Sequence, residues 1–170
     1  VQPDVASQAR AALEQLVRRP RGCFEQLTSM MRLYALFQRL DDPDGGPAGR
    51  PTREVHDAFL AGMQQLAWHE TPTGGFSWFG HGPADPRLTA TAVATMAELD
   101  PWSLDASDMF HRTVDHLAAS QHDDGSWHVT PRDGDPHPCA AVTSLSALSL
   151  AETGRHGDPL QRALVWLVEN

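Results

Sequence analysis

The sequence predicts an all-α protein, and three observations carry that expectation. Apolar residues recur at helical spacing through most of the chain. Strand-like alternation of apolar and polar residues is missing. The helical pattern breaks at clusters of Pro, Gly and Asp, which end helices by removing a donor or freeing the backbone. With 170 residues the chain is long enough for one domain with its own core, and residues 1–170 are taken as one unit.

A first helix is predicted over residues 5–17, stopped by Pro20 and Gly22. A second runs from about 24 to 40, with Leu27, Met30, Met31, Tyr34 and Phe37 on one stripe. Residues 41–51 form a Pro/Gly/Asp-rich loop, and Thr52 is a plausible N-cap for a third helix reaching Trp68. A long loop over 70–87 precedes a fourth helix over 88–99 and a fifth over about 107–120. A second long loop, 122–137, leads to a sixth helix over 140–152, and Pro159 opens a seventh.

The two long loops carry similar text. Gly74-Gly75-Phe76-Ser77-Trp78 in the first matches Asp124-Gly125-Ser126-Trp127 in the second, and each precedes a helix rich in small residues. Small side chains let helices approach closely while the aromatic plugs the end of the hairpin. Recurring units of this kind predict stacked helical hairpins, the plan of an α/α toroid with inner and outer rings.

The formal charge is −9, with 22 acidic against 13 basic residues. A nucleic-acid backbone or an anionic membrane surface needs clustered positive charge, so neither is an expected partner. No apolar run reaches membrane-spanning length. The two cysteines, Cys23 and Cys139, form no C-x-x-C pair, and the nine His show no H-x-x-x-H spacing, so neither metal nor cofactor is expected. A single Cys23–Cys139 bridge stays open on counting alone. Every basic residue is Arg. A compositional bias accounts for that; so would the need to keep primary amines away from a reactive acyl group.

One short motif carries chemistry: Arg21-Gly22-Cys23-Phe24-Glu25-Gln26. Cys23 and Gln26, three positions apart on a first helical turn, share a face and can touch. If the thiol attacks the side-chain amide and ammonia leaves, an internal thioester closes between them. Gly22 frees the entering backbone, and a helix N-terminus favours thiolate over thiol. By itself the pattern also describes a buried Cys beside an exposed Gln.

The surrounding landmarks extend it. Pro20-Arg21-Gly22-Cys23-Phe24-Glu25-Gln26 resembles the Gly-Cys-Gly-Glu-Gln motif of the complement and α2-macroglobulin proteins, with Phe24 in place of the middle glycine. Residues 59–66 (FLAGMQQL) resemble that family's Gly-Tyr-x-x-Gln-Leu helix, and residues 74–80 and 85–90 resemble its GGFS-W-FG … LTA stretch. Gln121 to Trp127 resembles its Gln-x-x-Asp-Gly-x-aromatic landmark. The resemblance implies a thioester-containing α/α toroid, of which this chain is about half. It implies single-use acylation rather than turnover: a lysine amine of a trapped protease, or a nucleophile on a target surface, takes the acyl group of Gln26 and releases Cys23. It also implies partner domains in a parent chain and an extracellular or periplasmic setting. In some complement relatives a histidine near the thioester assists, and His137 is the better candidate here, ahead of His128. Glu25 is given capping or placement only, and Cys139 a buried apolar role. Half a ring would expose helix faces, so marginal stability or self-association is expected.

Two rivals remain. Gln121-His122-Asp123-Asp124-Gly125-Ser126-Trp127 also resembles the Gln…Gly-x-Trp repeats of triterpene cyclases. Such enzymes need a clustered acidic motif in a deep cavity, and the nearest acidic runs are Asp41-Asp42-Pro43-Asp44 and Asp133-Gly134-Asp135, both in expected loops. A toroid that only binds, with no thioester, is the other.

Overall fold

The computed structural model describes residues 8, 12, 22–41, 53–99, 107–131, 134–154 and 157–170. Its helices are α1 (Phe24–Asp41), α2 (Arg53–Ala67), α3 (Pro86–Glu98), α4 (Ser107–Ala119), α5 (Ala140–Thr153) and α6 (Gly157–Glu169). Between α4 and α5 lies a two-stranded antiparallel ribbon, β1 (His128–Val129) with β2 (His137–Pro138). The protein is mostly helical, as the apolar spacing predicts. Of the expected helix over 5–17 only residues 8 and 12 are described, both helical, and the Thr52 cap and most of the 41–51 loop fall outside the described residues.

Helix α3 packs against both α1 and α5, whereas α2 lies on α1, α4 on α3 and α6 on α5. That arrangement makes two rows, α1–α3–α5 inside and α2–α4–α6 outside, as stacked hairpins of a toroid require. The composition explains which helices are inner. In α3 the residues from Leu88 to Ala90 and from Ala92 to Met96 are buried, with Thr91 half-buried between them. Its alanines let α5 come close enough for the Ser149 hydroxyl to donate to the Ala90 carbonyl at 2.9 Å. Outer helix α4 shows the usual amphipathic split, burying Met109, Val114 and Leu117, whereas α6 buries Ala163 and leaves the apolar Leu164, Val165 and Val168 exposed.

The fourth predicted helix starts two residues earlier than its apolar pattern suggests. Asp85 is its N-cap, its carboxylate accepting from Arg87 N at 2.8 Å, and Pro86 occupies the first turn, where its missing N–H costs nothing. The ribbon was illegible for another reason: two-residue strands are too short to show a period.

The repeated loop text folds into repeated structure. In the first loop Thr71 N donates to Gly75 O, Gly74 N to Thr71 O, Asp85 N to Phe76 O, and Phe76 N to the Thr89 hydroxyl. Some fifty residues on, His122 N donates to Ser126 O, Gly125 N to His122 O, Cys139 N to Trp127 O, and Trp127 N to the Thr143 hydroxyl. Phe76 and Trp127 are fully buried plugs. Trp127 also satisfies its indole N–H on Leu117 O at 3.0 Å and Ser120 Oγ at 3.1 Å. Gly74 and Gly125 both have positive φ, 88° and 91°, and both rest on the backbone of the next outer helix. A Cβ at Gly125 would stand 2.6 Å from Arg162 O, and one at Gly74 3.0 Å from Arg112 O. Gln121 fastens the second unit, donating to Gly125 O and to Pro159 O at the start of α6, each at 2.8 Å.

Candidate functional site

Each inner helix begins at the same place in its repeat. Leu27 N donates to Cys23 O, Thr89 N to Asp85 O, and Thr143 N to Cys139 O. Cys23, Asp85 and Cys139 therefore stand at the N-termini of α1, α3 and α5. Free N–H groups and the positive end of the helix dipole gather there.

At the first of these positions the motif folds back on itself. Gln26 turns its carboxamide toward the start of the helix, and Cys23 N–H donates to its Oε1 at 3.2 Å. Such a bond is what a capping box supplies to many helices, a third-position Glu or Gln satisfying the N-cap N–H. Here it also brings the acyl carbon Cδ against the residue that bears the thiol. Gly22 makes room for it. A Cβ at position 22 would overlap Gln26 Oε1 and stand 2.8 Å from Cδ, and Gly22 adopts φ 132°, which side-chain-bearing residues rarely take. The glycine thus does more than free the chain entry, the role its sequence position suggested.

Cys23 is a free, exposed cysteine. Glu25 lies beside it, and the influence of the Cys23 side chain is the main cause holding the Glu25 acid below its ordinary value. The next residue anchors the turn. Phe24 is fully buried against Phe76, ring centroids 5.9 Å apart, and meets His69 edge-on at 5.5 Å. The glycine of the resembling motif is thus replaced by a side chain that points inward, leaving Cys23, Glu25 and Gln26 outward. His69 is the neighbour that sequence reasoning missed. Its Nδ1 lies 3.0 Å from Trp78 O and 3.3 Å from Ser77 O, two acceptors, so Nδ1 bears the hydrogen and the ring is held in place.

The other sequence candidates lie elsewhere. His137 is exposed in β2 opposite Val129, with Nδ1 3.3 Å from Asp135 O. None of the described contacts joins it to Cys23 or Gln26. His128 stacks on His122, centroids 3.5 Å apart and planes 6° from parallel, and burial pushes its pKa down. Cys139 is a free cysteine, half-buried rather than buried, and packs at the rim of the cluster around Trp127. Both cysteines being free, no bridge joins them. No set of three His, Cys, Asp or Glu able to hold a metal occurs among the described residues.

Comparison with known proteins follows the same line. The family model of the A-macroglobulin TED domain, the thioester-containing domain, matches residues 2–133, most of the chain. The chain belongs to that family. It is also similar to the drimenyl diphosphate synthase of Streptomyces showdoensis, 31% identical over 110 residues, which is 63% of this chain and 20% of that enzyme. The chain thus spans about a fifth of the length of that relative.

Proposed function

We propose that this domain acylates a target once, through an internal thioester between Cys23 and Gln26, as part of an α2-macroglobulin-like protein acting outside the cytoplasm. The observation that carries this reading is the fold-back of Gln26 over Cys23 N–H, with Gly22 cleared to permit it. Closure begins when the Cys23 thiol gives up its proton, a loss that its place at a helix N-terminus favours. Sulfur then attacks Cδ, and the charge that develops on Oε1 meets the Cys23 N–H already pointing at it, in the manner of an oxyanion hole. The C–N bond breaks, ammonia departs with the proton, and a thioester remains. An incoming amine or hydroxyl later attacks the same carbon, the C–S bond breaks, and the target is held by an amide or ester. Nothing regenerates the thioester, so the act is stoichiometric; trapped proteases or surface nucleophiles are the proposed partners. His137 is carried as an assisting imidazole only if other parts of the parent bring it near.

Intact mass tests this. A closed thioester makes the protein one ammonia lighter than its sequence, and methylamine adds at Gln26 while freeing one thiol at Cys23. A mass equal to the sequence, unchanged by methylamine in protein never exposed to reductant, would sink the proposal.

The synthase relative favours a second reading, a helical-toroid enzyme acting on a polyprenyl substrate. Gln121 and Trp127 are arranged as structural fasteners, which suits either reading. Of the acidic runs such an enzyme would use, Asp135 is exposed, and Asp42 to Asp44 and Asp133 lie outside the described residues. Consumption of a polyprenyl diphosphate, with no ammonia loss, would decide for it.

A further inference from the structure

Two imidazoles lie face to face in the second long loop. His122 and His128 have ring centroids 3.5 Å apart and planes 6° from parallel. His122 belongs to the turn after α4: its N–H donates to Ser126 O, and Gly125 N–H donates to His122 O. His128 opens the ribbon, paired with Pro138 on β2. The stack therefore ties the turn to the ribbon. The ribbon is tied in its turn to the start of α5, through Cys139 N–H on Trp127 O and Trp127 N–H on the Thr143 hydroxyl.

Little charge surrounds the pair among the described residues. On the loop, Asp124 Oδ2 stands 4.0 Å from His128 Nε2, while Oδ1 accepts from Ser126 N–H at 2.9 Å and from its hydroxyl at 2.7 Å. Those two bonds hold the Asp124 acid below its ordinary value, so it stays ionised in mild acid. Burial first, then the charges of His122 and of His137 on β2, disfavour a proton on His128, and Asp124 favours it. Helix α5, against which β1 rests, has no ionisable group before Glu152. His128 Nε2 itself is shut away from water without a hydrogen-bond partner. One carboxylate thus serves three imidazoles, and it can balance one cation.

We infer that the stacked pair is a proton-operated latch, closed while at most one imidazole is charged and released when both are, freeing the turn and ribbon while the inner helices stay folded. The latch goes beyond the acylating function and stands whether or not a thioester closes. Two neutral rings, or one neutral and one charged, can stack; two cations at 3.5 Å repel whatever the local dielectric. In the open loop both rings meet water, and each takes a proton at about pH 6.5. The closed loop refuses the second proton. Acid therefore favours the open form: the latch is whole above about pH 6.5 and weakens as pH falls below it. With one proton excluded, the open form should be about tenfold more populated at pH 5.5 than at pH 7.5.

Hydrogen exchange on the full chain at those two pH values, corrected for the intrinsic pH dependence of amide exchange, reads the latch through the amides of His122, Gly125, Trp127 and Cys139. Their protection should fall about tenfold at pH 5.5, while the amides of α3 keep theirs. His128→Phe leaves a flat ring in the stack that takes no proton, and should abolish the acid effect. His122→Phe keeps the neighbouring ring without its charge, and should at least halve the effect. Equal protection at both pH values in the parent protein, or an acid effect that survives His128→Phe, overturns the inference. An effect undiminished in His122→Phe assigns it to burial of His128 alone and overturns the pair as the device. Loss of protection in α3 together with the loop would mark global unfolding, and would overturn the latch as well.

Discussion

Replacing Gly22 by alanine tests the site at its tightest point. The new Cβ would overlap Gln26 Oε1 and approach Cδ to 2.8 Å, while the backbone would have to hold φ 132° with a side chain attached. That backbone strain alone costs about 1–3 kcal/mol. Relief comes by swinging the carboxamide away or unwinding the first turn, and either move forfeits the Cys23 N–H bond, about 1 kcal/mol more. Together these make about 2–4 kcal/mol, so the melting temperature is expected to fall by about 4–16 °C. The chemical effect should be larger. A reacting carbon displaced by about 1 Å loses its near-attack position, which costs about a hundredfold in the rate of closure. Intact mass followed over time after expression in the absence of reductant gives the closed fraction, and calorimetry gives the stability. A Gly22→Ala protein that closes as completely and as fast as the parent would show that the fold-back has no part in the chemistry.

Two further outcomes follow from the scaffold. Thr143→Val removes the acceptor of the buried Trp127 N–H at nearly constant volume, so an orphaned donor should destabilise the protein by about 1–3 kcal/mol, read as a lower urea midpoint at unchanged slope. Acidification should weaken the second loop: His128 is held below its ordinary 6.5 chiefly by burial, so the unfolded chain binds the proton more readily. Its contribution is whole above pH 6.5 and is lost as pH falls from there through the lower folded value. Urea midpoints at pH 7.5 and pH 5.5 should therefore differ in the parent and differ less in His128→Asn.

Much of the fold could be read directly from residue order because the inner helices advertise themselves. The alanine-rich stretch of α3 and the serine- and alanine-rich α5 have no polar face to spare, so they belong between other helices. The similar loop text pointed to an aromatic plug at each hairpin end but not to which aromatic: Phe76 and Trp127 are buried while Trp78 and Phe79 are exposed by 42% and 78%, and nothing in residue type separates the two pairs. The Cys23–Gln26 approach followed from helical spacing. The role of Gly22 did not, since a steric clearance depends on a rotamer that a one-dimensional pattern does not record. His69 was hidden for a related reason: it meets Phe24 only because the loop over residues 69–78 turns back, and its one distinguishing bond is to main-chain carbonyls.

The joints at Gly74 and Gly125 have a consequence for how such a protein can vary. Each presses a bare Cα onto a peptide carbonyl, at Arg112 and Arg162, so the spacing between successive units is set by main chain against main chain. At the first joint the Arg112 side chain adds a two-pronged ion pair to Glu70, at 3.0 and 3.1 Å. A methyl group on either glycine would push the next unit outward, and every unit beyond would inherit the error.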